Sequence, residues 1–468
     1  MTGLKARTKR ERGISVIFTA ISLTTIVPLV GLAIDAGILY TVKGKLQMAV
    51  DAGALAGARA LSRGNDDTTQ QNNAKSVAQA YALLNFPSGY FNISPPAFPA
   101  GSITVDESVA NQRSVTVSGT VNAPLYFLRW LGDTAANVSA TATAVRRDVN
   151  VVIVMDRSGS LANSGSCSGL KSAAVQFVSK FANGRDNLGL VTFATSSAND
   201  FAIANNFNTA SPSVTSILNS LNCTGGTNSA QGLYYGYQQL VGLNQPAALN
   251  VVLFFTDGYP NTFTASFPIK SSSSCSSKTN KEGVLAAGYS NPTGAPTSPS
   301  AMFGLLSWVG GTQPMSSDLN LPPNPPTSSS GCAYASDFTS VGSDIAYIPN
   351  TDVWGNSTNT GYQTVTSDGN GHIAANALNN QNAGWNAADD AGNKIRISTT
   401  IPNIHTYSIG LGNSGGIPAD FLERAANDPR ASNYNTNYPA GLYVYAPTSA
   451  DLSNAFAEVA SQILHLSK

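Results

Sequence analysis

The chain has 468 residues, enough for two or three domains at roughly 100–200 residues each. Its 26 basic and 26 acidic side chains leave a net charge of zero, which excludes a chain built to coat nucleic acid, because neutralising phosphates needs a basic surplus. Only 11% of residues are charged, against about 25% in ordinary soluble domains. Ser, Thr, Asn and Gly replace the missing charge, a composition that suits an extracytoplasmic surface better than a cytosolic enzyme. The four cysteines, Cys167, Cys223, Cys275 and Cys332, form no CxxC pair and lie in no ligand spacing with histidine, which argues against a zinc ribbon or a thioredoxin-type site.

Residues 1–13 carry Lys5, Arg7, Lys9, Arg10 and Arg12 against a single Glu11. Residues 14–34, ISVIFTAISLTTIVPLVGLAI, then run without a charge. At 1.5 Å per residue this spans about 30 Å, one bilayer core. A cleaved signal peptide has a shorter apolar stretch, about 7–15 residues, so an uncleaved anchor over 14–40 is the expectation. The basic flank places the N-terminus in the cytoplasm and the bulk of the chain outside, in the periplasm or at the cell surface. Pro28 is expected to kink the helix. Asp35, where the apolar run ends, reads as an interfacial carboxylate in headgroup water, ahead of a buried partner for a second membrane helix. Helical spacing continues through Leu39, Val42, Leu46, Ala49 and Gly53, and 49–61, AVDAGALAGARAL, presents a small-residue packing face. The basic stretch, Gly13, the apolar helix and the block LQMAVDAGALAGARAL resemble the TadE/TadG-like proteins of the tight-adherence (Tad/Flp) pilus machinery. The family's pilin-like members carry a Glu at the fifth residue after the processing Gly; here that residue is Phe18, which fits a TadG-like uncleaved anchor.

Within 41–147, the stalk gives way to a second helix, with Asp67, Thr68 and Gln70 as capping chemistry and Ala74, Val77, Ala78, Tyr81 and Leu84 as its apolar positions. Strands are predicted at 102–106, 114–121 and 137–145 from alternation such as V-T-V-S-G-T-V. The block 125–131, with Phe127 and Trp130, is expected in the core of this small α+β unit.

From 148 onward apolar runs alternate with helical stretches. NVVIVM at 150–155 is followed by Asp156, and NVVLFF at 250–255 by Thr256-Asp257-Gly258. Further runs lie at 188–193 and 405–410, with helices at 170–181, 229–241 and 387–397. The pattern predicts an α/β fold, a doubly wound, mostly parallel sheet, whose sites form beyond the carboxyl ends of the strands. Asp156 opens D-R-S-G-S, bringing Ser158 and Ser160 at steps of two, and the Gly-rich loop 223–228 (C-T-G-G-T-N) offers Thr227. Asp156, Ser158, Ser160, Thr227 and Asp257 supply only oxygen, a hard-cation donor set for Mg²⁺ first, with Mn²⁺ or Ca²⁺ as the alternatives. D-x-S-x-S alone is commonly a polar turn; three motifs together on strand ends are far more specific.

These motifs resemble the metal-ion-dependent adhesion site (MIDAS) of von Willebrand factor type A (VWA) domains. That resemblance implies Ser158, Ser160 and Thr227 as direct or near-direct ligands, Asp156 and Asp257 binding directly or through water, and a partner protein completing the cation with a carboxylate. The ending YVYAPTSADLSNAFAEVASQI resembles the closing strand and helix of such domains, with Leu452, Phe456, Val459 and Ile463 on one helical face. A haloacid-dehalogenase phosphatase would need a second Asp where Ser158 stands. His372, His405 and His465 offer no convincing general base, and no P-loop is present, so no enzyme activity is expected.

About 259–386 reads as a long insertion, rich in Ser, Pro and Asn, rising from the metal face as either a recognition module or a solvated excursion. Cys167, in the loop after the first motif, and Cys223, four residues before Thr227, both fall on that face, so they are expected to pair; Cys275 and Cys332 then pair by elimination, one of three possible connectivities. The expected molecule is a single-pass membrane protein of pilus assembly or surface adhesion. Its partner is a protein of the pilus machinery or cell surface, and not nucleic acid. The alternative is a structural, pilin-like stalk component with no functional metal site.

Overall fold

The computed structural model describes residues 9–64, 66–109, 111–268, 270–271, 282–288, 301–307, 345–412 and 419–467. The chain divides into two units, Met1–Arg146 and Arg147–Ser467.

The first unit is organised by one long helix, α1 (Lys9–Ala60), which continues through Pro28. Its most apolar 18-residue window has a mean hydropathy of 2.2 and is 6% buried, long and apolar enough to cross a membrane. The C-terminal half carries the small-residue face, and α2 (Asp67–Asn85) covers it. A Cβ on Gly53 would lie 2.8 Å from the Ala78 carbonyl oxygen, and one on Gly57 would lie 2.9 Å from the Ala78 Cβ. Backbones this close admit only small partners, so the buried stripe of α2 is Gln70, Ala74, Ala78 and Ala82. Tyr81 and Leu84, expected on that stripe, point outward instead, at 50% and 78% exposure. The N-cap is Asp66, one residue before the expected capping group; its carboxylate accepts from the Thr69 N–H at 2.8 Å. Gln70 is used for tertiary contact: its Nε2 donates to the Gly64 carbonyl, and its Oε1 accepts from buried Arg113 at 2.8 Å.

Three strands, β1 (Ile103–Asp106), β2 (Gln112–Pro124) and β3 (Ala135–Arg147), form a sheet in the order β1-β2-β3. β2 alternates strictly: Val115, Val117, Val121 and Ala123 are buried with α1 and α2, while Thr116 and Ser118 pair hydroxyls with Thr143 and Thr141 at 2.8 and 2.9 Å. The block 125–131 departs from expectation. Trp130 is 86% exposed and Phe127 42%, so these aromatics are not core.

The second unit is built on a six-stranded sheet. Its strands are β4 (Val149–Asp156), β5 (Asn187–Phe193), β6 (Ser197–Ala204), β7 (Leu249–Thr256), β11 (His405–Leu411) and β12 (Leu442–Ala446), in the order β12-β11-β7-β4-β5-β6. Every pairing is parallel except the antiparallel edge strand β6. Helices α3 (Gly159–Asn163), α4 (Cys167–Val178), α5 (Val214–Ser220), α6 (Ser229–Leu243), α7 (Ala377–Arg396), α8 (Ala419–Ala426) and α9 (Leu452–Leu466) follow the strands. Along β4, Val151, Ile153 and Met155 enter one core with residues of α4, α5 and α9, while Val152 and Val154 enter another with residues of α6, α7 and α8. A strand covered on both faces must be apolar at consecutive positions, which is why 151–155 reads as an unbroken run. Each such side chain contributes about 1.5–3 kcal/mol on burial.

The insertion is in part a packed module. β8 (Thr262–Ser266), β9 (Glu282–Gly288) and β10 (Ala301–Ser307) form an antiparallel sheet, and Phe263, Phe267, Leu285, Ile345, Ile348 and Ile373 make a separate core. α7 starts at Ala377, ten residues before the expected helix, so the Asn-rich tract is its first turns. Asn376 caps it, and buried Asn379 and Asn386 use their amides on the main chain of Thr366 and Gln363. Cys275 and Cys332 lie outside the described residues.

Candidate metal site

β4 and β7 are neighbours, and the chain leaves β4 towards β5 on one side and meets β7 on the other. Their carboxyl ends therefore flank a topological switch point, where loops diverge and leave a crevice. Asp156 ends β4, and Asp257 immediately follows β7.

Asp156 is fully buried. Its Oδ1 accepts from the Ser158 backbone N–H at 2.7 Å, and its Oδ2 accepts from the Thr256 hydroxyl at 2.5 Å. The Asx-type turn so formed aims Ser158 and Ser160 the same way, with their Oγ atoms 2.9 Å apart. Ser160 donates to Asp257 Oδ1 at 2.6 Å, and Ser158 approaches the same oxygen at 3.5 Å. Four of the five expected residues thus form one hydrogen-bonded cluster. Asp156 and Ser158 make its floor, while Ser160 is exposed and Asp257 half-buried, so the cluster opens to solvent.

Thr227 sits on the adjoining Gly-rich loop. That loop is tied to the Ser158–Ser160 turn by the Gly159 N–H donating to the Gly225 carbonyl at 2.9 Å. Thr227 itself is held by its N–H on Asn261 Oδ1 at 2.8 Å. The glycines are required here: Gly225 has φ +88°, and a Cβ on Gly226 would run into Thr262 Oγ1. A disulfide between Cys167, the first residue of α4, and Cys223 joins the element after the Ser158–Ser160 turn to the base of this loop, as the sequence suggests. Closing a 56-residue separation is worth about 4 kcal/mol on chain-entropy grounds.

The electrostatics are those of a site lacking a counter-charge. Burial pushes the Asp156 carboxyl up, and burial together with the Asp156 charge pushes Asp257 up. Among the described residues neither forms an ion pair with Lys, Arg or His. Two crowded carboxylates without a cationic side chain, ringed by hydroxyls, fit a hard divalent cation. Among the described residues no group of three or more His, Cys, Asp or Glu side chains could hold a metal ion, so the hydroxyls would have to complete the donor set here.

Thr256 is the residue that sequence reasoning passed over. It was visible in the T-D-G motif, but its job of holding Asp156 Oδ2 appears only once β4 and β7 are adjacent. Thr195 is similar: its Oγ1 accepts from the Gly226 N–H at 3.0 Å, fixing the Gly-rich loop from the end of β5.

The doubly wound sheet, mostly parallel and covered by helices on both faces, is VWA-like. The family comparisons agree: residues 150–289 match the von Willebrand factor type A domain and residues 13–60 the putative Flp pilus-assembly TadE/G-like family, so the chain joins a TadE/G-like N-terminal region to a VWA domain. The VWA match runs past Asp257 into β8 and β9, further than the motifs alone suggest. Similar solved structures include the PilB minor pilin from Streptococcus sanguinis (15% identity, 82% of this chain and 81% of that one, TM-score 0.36). The vWF domain of the type V pili tip protein Mfa5 from Porphyromonas gingivalis is another (15% identity, 69% and 98%, TM-score 0.35). The pilus adhesin SpaC from Lactobacillus rhamnosus GG is a third (11% identity, 79% and 36%, TM-score 0.38). Likenesses this distant say nothing of what the present chain binds. No curated protein matches the chain.

Proposed function

We propose that this protein is a membrane-anchored VWA protein of Tad/Flp pilus assembly or surface adhesion that captures a protein partner through a divalent cation held by Asp156, Ser158, Ser160, Thr227 and Asp257. The observation that carries the reading is the hydrogen-bonded Asp156–Ser158–Ser160–Asp257 cluster, buried at one end, open at the other and without a counter-charge. Mg²⁺ is the first candidate, with Mn²⁺ and Ca²⁺ as alternatives. Few charges and several neutral oxygens leave the ion electrophilic towards a carboxylate from the partner. Residues 14–34 anchor the chain, with the basic N-terminus in the cytoplasm and the chain beyond residue 40 outside, in the periplasm or at the cell surface.

The proposed role is binding: the cluster offers oxygen ligands, and His405 opens β11 opposite Val251, at the other end of the sheet from Asp156 and Asp257. The alternative, a stalk component assembling through 49–61, is weakened because α2 already occupies that face.

The test is thermal unfolding of a fragment beginning at Arg147, with Mg²⁺, Mn²⁺ or Ca²⁺ added, comparing wild type with Asp156→Ala. A ligand that binds only the folded state raises the midpoint. A rise in wild type that the variant lacks is expected; equal midpoints with and without cation in wild type would return the function to the stalk reading.

A further inference from the structure

Asp35 is 1% exposed although it directly follows the apolar run, because its carboxylate is enclosed by partners from this same chain. Its two oxygens accept from the backbone N–H groups of Tyr126, Phe127 and Leu128, at 2.9, 3.0 and 2.8 Å, from 91 to 93 residues along the chain. Three charge-assisted bonds to consecutive amides fix the 125–131 block against α1 at that level. One turn earlier, a Cβ on Gly31 would lie 2.8 Å from the Phe127 ring, so the ring lies over a glycine inside the apolar run, about 6 Å along the axis from Asp35. Above this contact Trp130 is 86% exposed, Tyr126 43% and Phe127 42%, and Arg129 is exposed beside them.

We propose that residues 125–131 are an interfacial foot: Tyr126, Phe127 and Trp130 enter the headgroup layer of the same bilayer that α1 crosses, so that the α+β unit stands on the lipid surface. The proposal rests on residues 14–34 being a membrane span. Lipid is the occupant because the patch is continuous with the span. Val30, Leu32 and Ile34 are 53%, 49% and 42% exposed on the same final turns, and an apolar surface of that extent is not left in water. Tyr and Trp combine an apolar ring with a polar tip, which suits the boundary between acyl chains and headgroups, and Arg129 can meet lipid phosphate there. The glycine at 31 and the carboxylate at 35 are then explained together. Gly31 leaves room for the Phe127 ring, and Asp35 locks the block at interface depth while its own charge is satisfied at the rim of the hydrocarbon.

The test uses the full chain in phospholipid vesicles carrying brominated acyl chains, comparing wild type with W130A. Flotation with the vesicles after alkaline carbonate washing reports the anchor separately. Among chains that float, tryptophan emission quenched by the brominated lipid should be clearly larger in wild type, and most of the difference should vanish in W130A; the other tryptophans cancel in the comparison. A floating chain whose quenching is the same in both proteins overturns the foot while leaving the anchor intact. A chain that does not float overturns the span, and the foot with it. Because Trp130 is almost fully exposed, its removal leaves the core of the unit unchanged.

Discussion

At the scale of single residues, the proposed cation site would be tuned by groups that never need to touch the ion. Thr256 donates to Asp156 Oδ2 and accepts from the Gly258 N–H at 3.2 Å, coupling the strand end to the turn that follows Asp257. Thr256→Val keeps the volume but removes a hydrogen bond to a charged group. Cation affinity is expected to fall by about 1–3 kcal/mol, roughly 5- to 150-fold, with the fold retained; this is measured by cation titration of the thermal midpoint. An unchanged affinity would remove Thr256 from the site. The carboxylates also set a pH dependence. Asp156 is pushed up to about 6 and Asp257 to about 7, first by burial and, for Asp257, by the neighbouring charge. Raised carboxyl values mean that the folded state without cation holds more protons than the unfolded one from about pH 4 to 7, so its stability declines as pH rises through that window. A cation needs both groups ionised and must displace those protons. The midpoint increase produced by Mg²⁺ should therefore grow from pH 5 to pH 8, read as a series of thermal scans; a flat response would mean that the two carboxylates do not bind the ion.

At the scale of elements, close approach decides what the helices can carry. α1 and α2 meet so tightly at Gly53 and Gly57 that the facing stripe is alanine, and larger apolar residues are turned outward. Gly57→Leu is expected to destabilise the first unit by about 1–3 kcal/mol, because a Cβ there already meets the Ala78 Cβ at 2.9 Å and the Val115 Cγ1 at 3.0 Å. Faster proteolysis within 41–146 of the full-length protein would show it, and wild-type resistance would contradict the packing. The start of α7 was hidden for a related reason. Its exposed composition looks like a loop, yet Asn379 and Asn386, two turns apart on one face, bind the main chain at 363–366, a role that composition does not reveal. Apolar patterning did mark α6, α9, β4, β5, β7 and β11, because those elements bury apolar side chains; the edge strand β6, half-exposed over much of its length, carried no such mark.

At the scale of the whole molecule, two units have separate cores and the carboxylate–hydroxyl cluster draws all of its residues from the second. The fragment from Arg147 should therefore unfold cooperatively and bind cation as tightly as the full chain; weaker binding by the fragment would show that the first unit contributes to the site. The apolar run, the two strand-end aspartates and the D-x-S-x-S, Gly-Gly-Thr and T-D-G motifs were legible in one dimension, because burial on both faces of a strand and the chemistry of a turn leave local marks. The Thr256–Asp156 bond, the cover that α2 gives to the small-residue face and the clasp of Asp35 on 126–128 were not. Each joins residues distant in sequence through one or two polar contacts or a single close approach, and such pairings leave no period or composition to read. They exist only after hydrophobic burial has chosen which elements lie side by side.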